Sequence, residues 1–272
     1  MDRQGPAGDP GEPFLTSEER QAIDAGRWFS TLSPTLRHDI LRRVHVRRYR
    51  DGQSIASRGD PPRAWAACAA GAVRIGSINA SGKVHTLTYV EPGVWFGDSA
   101  LIDGAGHSHD TWAKGDTTLV CVAEAAFRQL LNDHAELGLA LLVLQVRRLR
   151  RLFISLEDAS TQPMHVRLGR QLLALARAHG VPEGRQARVR IGLDLLQEEL
   201  ALLIGASRQR VNQVLKAMER ASLIEIGAQG IVINDAGALK TELNRAELAE
   251  RGETMKPRAP SAPARAQAAR PQ

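Results

Sequence analysis

The side chains best placed for chemistry in this sequence follow one glycine: Ser207, Arg208, Gln209, Asn212 and Gln213 come just after Gly205. All five can reach base edges and phosphates if they stand on a helix laid in the major groove of a duplex. The planar fork of Arg208 can donate to both O6 and N7 of guanine, which makes it the leading base contact. Gln209 and Gln213 suit adenine or a water bridge, whereas Ser207 and Asn212 suit phosphates. A plainer reading is an amphipathic surface helix whose polar face serves solubility. The surrounding residues favour the first reading. The pattern over 196–204 is helical, Gly205 interrupts it, and Ser207 is suited to cap a second helix over 207–221. Two helices that cross closely want a small residue on the first, here Ala201, and apolar anchors, here Leu200, Ile204, Val211 and Val214. This is a helix-turn-helix pattern. Beyond it, apolar runs at 223–226 and 231–233 flank 227–230, the pattern of a hairpin with a tight turn, or wing.

Other reactive residue types are sparse. Ser99, His107 and Asp110 lie close together but lack the strand-to-helix elbow or oxyanion glycines that activate a serine, so no enzyme and no catalytic residue is expected. His107 and His109 beside Asp110 read as a surface turn rather than a metal or haem site, so no metal is expected. Cys68 and Cys121 sit among apolar residues and read as buried thiols in a reducing compartment.

The elements that must hold the polar helix can be traced along the chain. With 272 residues, 43% of them hydrophobic, two modest domains are expected, and a net charge of +6 favours a polyanionic partner. Residues 1–13 lack the apolar core of a signal peptide, and no apolar run is long enough to cross a bilayer, so a cytoplasmic protein with no membrane partner is expected. Disordered tails are expected over 1–15 and, rich in Ala, Pro and Arg, over 246–272. Thr16 and Glu19 have capping-box spacing, and Ser33 with Pro34 opens a second short helix whose apolar face is Leu36, Ile40, Leu41 and Val44. From residue 45 to 122, short runs at 72–78, 84–90 and 117–122 are punctuated by glycines, which suggests a β-roll or sandwich. A short helix over 124–132 leads to a long one from about 135 to 157. Its stripe of Leu137, Leu141, Leu144, Val146, Leu149, Leu152 and Leu156, with Arg147, Arg148, Arg150 and Arg151 outside it, suits a parallel dimer seam or packing on its own domain. Pro163 breaks the pattern, a helix runs over 164–179 with Gly180 as its C-cap, and a brief alternating segment covers 188–191. The expected α+β organisation is a β-roll sensor domain over 16–134, a dimerisation helix over 135–158 and a winged helix-turn-helix domain over 159–245.

This order of parts resembles the Crp/Fnr family of bacterial regulators from about residue 28 to 242. The likeness is carried by Gly52-Gln53-Ser54-Ile55 with Arg58-Gly59-Asp60, by Gly71-Ala72-Val73-Arg74, by Gly93-Val94-Trp95-Phe96-Gly97-Asp98, and by Gly205-Ala206-Ser207-Arg208-Gln209-Arg210-Val211. The resemblance implies a cyclic-nucleotide-binding-like jelly roll, a homodimer, a two-fold symmetric double-stranded DNA operator, and RNA polymerase as a further partner. It also implies an effector pocket at Gly97, Asp98, Ser99, His109 and Asp110. Cyclic-nucleotide-binding members hold the ribose with a Gly-Glu pair and the cyclic phosphate with an Arg-Ser pair. This chain departs from both, with Gly97-Asp98 and His109-Asp110 at the matching positions. A phosphate facing Asp110 meets repulsion of several kcal/mol unless screened or protonated, so cyclic AMP bound in the usual way is not expected. No cysteine precedes Cys68, so the iron–sulfur cluster of the oxygen-sensing branch cannot be built. No cofactor is expected, and the effector remains an unidentified nucleotide or other small molecule. Arg208 matches the family arginine that reads guanine, whereas Gln209 replaces a glutamate and Gln213 an arginine, leaving the base preference there open. A second reading is a ligand-independent DNA-binding protein whose β-roll is only a dimer scaffold.

Overall fold

The computed structural model describes residues 14–79, 84–184, 187–193, 195, 197–227 and 230–250. Of the tails expected over 1–15 and 246–272, residues 1–13 and 251–272 lie outside the described residues, as do Leu196 and residues 228–229 of the expected hairpin turn.

Two short helices open the chain, α1 (Ser17–Asp24) and α2 (Pro34–Leu41), each with a side-chain cap. Thr16 Oγ1 accepts from the Glu19 N–H at 3.2 Å while Glu19 accepts from the Thr16 N–H at 2.8 Å, a reciprocal box that satisfies orphan donors of the first turn. Ser33 Oγ accepts from the Leu36 N–H at 3.3 Å, with Pro34 preset for the helical φ. The roll follows as β1 (Val44–Tyr49), β2 (Ser54–Ala56), β3 (Ala64–Ile78), β4 (Val84–Val90), β5 (Trp95–Phe96), a short α3 (Asp98–Asp103) and β6 (Asp110–Ala123). Its strands pair antiparallel in the order β1-β6-β3-β4, with β2 on β6 and β5 on β3. The roll encloses Tyr49, Cys68, Val73, Val90, Leu119 and Cys121. On its outside, α1 and α2 pack around Trp65, whose ring lies 4.1 Å from Trp95 and 5.2 Å from Phe127.

α4 (Glu124–Asp133) leads into the 27-residue α5 (Ala135–Thr161). α5 has two apolar faces. Leu137, Leu141 and Leu144 are buried in the same core as Trp65, and the Trp28 indole N–H donates to the Ala140 carbonyl at 3.0 Å. This corrects the expected seam, whose first three leucines bind the helix to its own domain. The exposed apolar face is Leu139, Leu142, Val146, Leu149, Phe153 and Leu156. Its alternating steps of three and four are the heptad spacing of a coiled-coil stripe. Helical geometry continues through Thr161, past the boundary expected at 158.

The C-terminal domain comprises α6 (Met164–His179), β7 (Gly180–Pro182), β8 (Val189–Ile191), α7 (Gln197–Ile204), α8 (Arg208–Arg220), β9 (Ile224–Gly227), β10 (Gly230–Ile233) and α9 (Ala236–Glu250). Its small sheet runs β7-β8-β10-β9, and the helices close on Leu168, Leu172, Leu200, Leu215, Ile233 and Leu239. α9 reaches Glu250, so the segment expected as tail from 246 begins as helix. Gly180 is the C-cap of α6, as expected. It is extended at φ −75°, and a Cβ there would fall 2.0 Å from the Ala176 carbonyl oxygen, so close approach requires the glycine. Arg170 of α6 pairs with Asp158 of α5 at 2.5 Å and Glu247 of α9 at 2.6 Å, fastening the C-terminal domain to the end of the long helix.

Candidate functional site

The polar segment behind Gly205 is helical, and its two sides differ as a groove-reading helix requires. Gly205 turns the chain at φ +63°, a left-handed value that favours glycine. The Ala206 N–H then reaches back to the Ala201 carbonyl at 2.9 Å, and the Arg167 guanidinium of α6 donates to the Ile204 carbonyl. The turn is therefore held from both sides. Ala201 of α7 is buried in the core that holds Val211 and Leu215 of α8, where a larger side chain would have to displace its neighbours. Ser207 caps α8 by accepting from the Arg210 N–H at 3.3 Å. Val211, Leu215 and Met218 face the core, whereas Ser207, Arg208, Gln209, Gln213, Lys216 and Arg220 are exposed and Asn212 is half-buried. The wing follows directly, with Gly227 opposite Gly230 and Ile226 opposite Ile231 across β9 and β10. Arg188 steadies it through the Glu225 carboxylate at 2.7 and 2.9 Å.

The second constellation lies where the roll meets α5. Asp98, the first residue of α3, is fully buried, and its carboxylate accepts from Gln145 at 2.9 Å and from Arg148 at 2.9 Å on both oxygens. Arg148 also donates to the Trp95 carbonyl at 2.6 Å, so one guanidinium clasps both sides of Gly97. Ser99 is exposed. Asp110 accepts from the Arg58 N–H at 2.8 Å, and His109 Nδ1 pairs with the Ser108 hydroxyl at 2.9 Å. Asp98 is thus tied to α5, while His109 and Asp110 are engaged along the loop that opens β6. His107 is bound through its backbone to Gly59 and Asp60, and burial lowers its imidazole pKa against the raising effect of Asp60.

Two family descriptions fit these two parts: the cyclic nucleotide-binding domain matches residues 46–134, and the Crp-like helix-turn-helix domain matches residues 166–242. A CRP-like cAMP-activated global transcriptional regulator from Mycobacterium tuberculosis is 30% identical over 188 residues, covering 69% of this chain and 83% of the relative. The chain belongs to the Crp/Fnr family of transcriptional regulators. A Cyclic AMP receptor protein from Thermus thermophilus is 29% identical over 194 residues, 71% of this chain and 86% of the relative. Among solved structures, FixK2 from Bradyrhizobium japonicum shares the fold, with a TM-score of 0.64, 18% identity and coverage of 73% of this chain and 96% of that one. The structure of a CRP-family transcriptional regulator from Thermus thermophilus has a TM-score of 0.60 at 25% identity, over 74% of this chain and 97% of that one.

Within this Crp/Fnr chain, α8 and its N-cap carry the five residues expected to face DNA, four of them exposed and Asn212 partly covered. Three cations escaped the sequence reading. Arg210 precedes Val211, and Lys216 and Arg220 continue the row begun by Gln209 and Gln213 at helical spacing. That periodicity was the available signal, one and two turns beyond the residues named from the motif. Gln145 and Arg148 were also missed as partners of Asp98, because a contact across 47 to 50 residues has no local signature. Among the described residues, no helix is long and apolar enough to cross a membrane.

Proposed function

We propose that this regulator binds a two-fold symmetric operator in double-stranded DNA as a homodimer. The exposed apolar stripe of α5 supplies the seam, and the polar side of α8 enters the major groove in each half-site. Arg208 reads guanine, Gln209 and Gln213 contact adjacent bases, Ser207 and Asn212 approach phosphates, and Lys216 and Arg220 add sequence-independent attraction. The observation carrying this reading is the division of α8 into a core side and a polar outer side behind a doubly held turn. Selection from a random duplex library with the purified chain tests it. The expected product is an inverted repeat with half-sites about 10 base pairs apart, centre to centre; recovery of only random sequence would overturn the reading.

For the sensor domain, the relatives from Mycobacterium tuberculosis and Thermus thermophilus are named for cyclic AMP. Here the family's arginine and serine are replaced by His109 and Asp110, so the effector pocket at Gly97, Asp98, Ser99, His109 and Asp110 does not take cyclic AMP in the usual way. The Arg148 clasp on Asp98 favours a second reading, in which the pocket is closed by the chain itself and DNA binding needs no effector. Calorimetry with cyclic mono- and dinucleotides separates the two, because a nucleotide that binds and changes operator affinity removes the ligand-independent reading.

A further inference from the structure

Side chains from three strands of the roll converge on one carboxylate of the DNA-binding domain. Glu199, in the first turn of α7, is almost fully buried. Lys114 of β6 donates to its two oxygens at 3.0 and 3.1 Å, the Tyr89 hydroxyl of β4 donates at 3.4 Å, and Arg74 of β3 stands 3.9 Å away. Arg74 is itself seated 4.9 Å above the Trp112 ring. Around this polar centre, Ala72 and Tyr89 of the roll pack into the core that contains Leu200 and Ile204 of α7. Leu200, Ala201 and Ile204 of α7 share that core with Val211 and Leu215 of α8, so whatever fixes α7 on the roll fixes the direction in which α8 points.

We infer that Glu199 is a positioning residue for operator binding, through which the roll sets the placement of the recognition helix without touching DNA. A dimer engages two half-sites at once only if its two α8 helices stand at the spacing and angle of the operator. A domain swinging on the linker at Gln162 and Pro163 would have to give up that freedom on binding. Lys114, Arg74 and Tyr89 remove it beforehand. The ion pair is the specific part of the contact, because apolar packing alone tolerates sliding, whereas a carboxylate held by several donors has one place to sit.

This rests on the proposed reading as a dimeric operator-binding protein, and the test keeps the two apart. Operator and isolated half-site affinities are measured by fluorescence anisotropy for the full-length protein and for Glu199→Gln, Lys114→Met and the double variant. The expected result is a loss of about tenfold or more on the full operator for each single variant. The double variant should lose no more than the worse single, since both remove one interaction. Half-site binding should stay unchanged, which also shows that the helix-turn-helix is folded. Lys114→Met leaves the DNA-binding domain's own sequence intact and so covers a folding failure of Glu199→Gln. Unchanged operator affinity in both single variants, or equal losses on half-site and operator for Lys114→Met, overturns the inference while leaving the regulator reading in place. Wild-type protein that prefers no duplex overturns the regulator reading itself.

Discussion

Replacing Leu142 and Leu149 together by alanine should break the dimer without unfolding the chain. Full burial of a leucine side chain is worth about 1.5–3 kcal/mol relative to exposure. In the single chain Leu142 is 61% and Leu149 51% exposed, so dimerisation can supply only about half of that, about 1 kcal/mol for each. Both are lost from both protomers, about 4 kcal/mol in all, which raises the dimer Kd by about a thousandfold. Sedimentation velocity across a dilution series reads this directly. Leu137→Ala is the control. Leu137 lies in the core of its own domain, so that variant should lower the melting temperature by the cavity mechanism and leave the dimer Kd within a few-fold of wild type. A Leu142→Ala/Leu149→Ala protein that melts normally and keeps its Kd would refute the assignment of the exposed stripe to the seam, as would a wild-type chain that stays monomeric at micromolar concentration.

Three further outcomes follow from buried polar groups and thiols. Removing the cation in Arg148→Met leaves the Asp98 carboxylate buried with only Gln145, which should destabilise the sensor domain by about 3 kcal/mol in urea melts, and adding Asp98→Asn should recover much of it; a single variant as stable as wild type would contradict the clasp. Burial would raise the Glu19 pKa, but hydrogen bonds from Arg48, Thr118 and the Thr16 N–H, with the Arg48 charge, hold it at about 2 from an ordinary 4.5. A carboxylate depressed on folding contributes stability that is complete above its unfolded pKa and is lost as pH falls from about 5 towards 2, so Glu19→Gln should flatten the acid limb of the stability–pH curve, and an unaltered limb would count against it. Burial pushes Cys68 up to about 12 and Cys121 up to about 11, so both thiols should resist a thiol-specific reagent at pH 8 in native protein and react in denaturant; rapid native labelling would contradict the roll packing.

Local chemistry made some parts of this molecule readable from residues alone. The Thr16–Glu19 box, the Ser33 and Ser207 caps and the turn at Gly205 appear where capping and turn residues place them, because those signals act within a few positions. The apolar faces of α5 were harder to read. α5 is apolar on two sides, and periodicity cannot say that Leu137, Leu141 and Leu144 serve the protomer while Leu142 and Leu149 face outwards. Gly180 caps α6 as its place after the helix suggests, but only the fold shows the Ala176 carbonyl lying where a Cβ would stand. Likewise the place of Asp98 in the family motif says nothing of Arg148, which only the fold brings onto it. The Glu199 contact was invisible for the same reason, since its donors come from three separate strands.

If the outer side of α8 reads bases, Arg208→Ala should alter sequence preference and not merely affinity. Affinities of wild type and variant are measured for the selected operator, for each single-base variant of it and for random duplex. Specific binding should weaken by about 1–3 kcal/mol, discrimination should relax at one symmetric pair of positions, and binding to random duplex should hardly change. Equal loss on operator and random DNA would make Arg208 a phosphate contact and rule out base reading by its guanidinium.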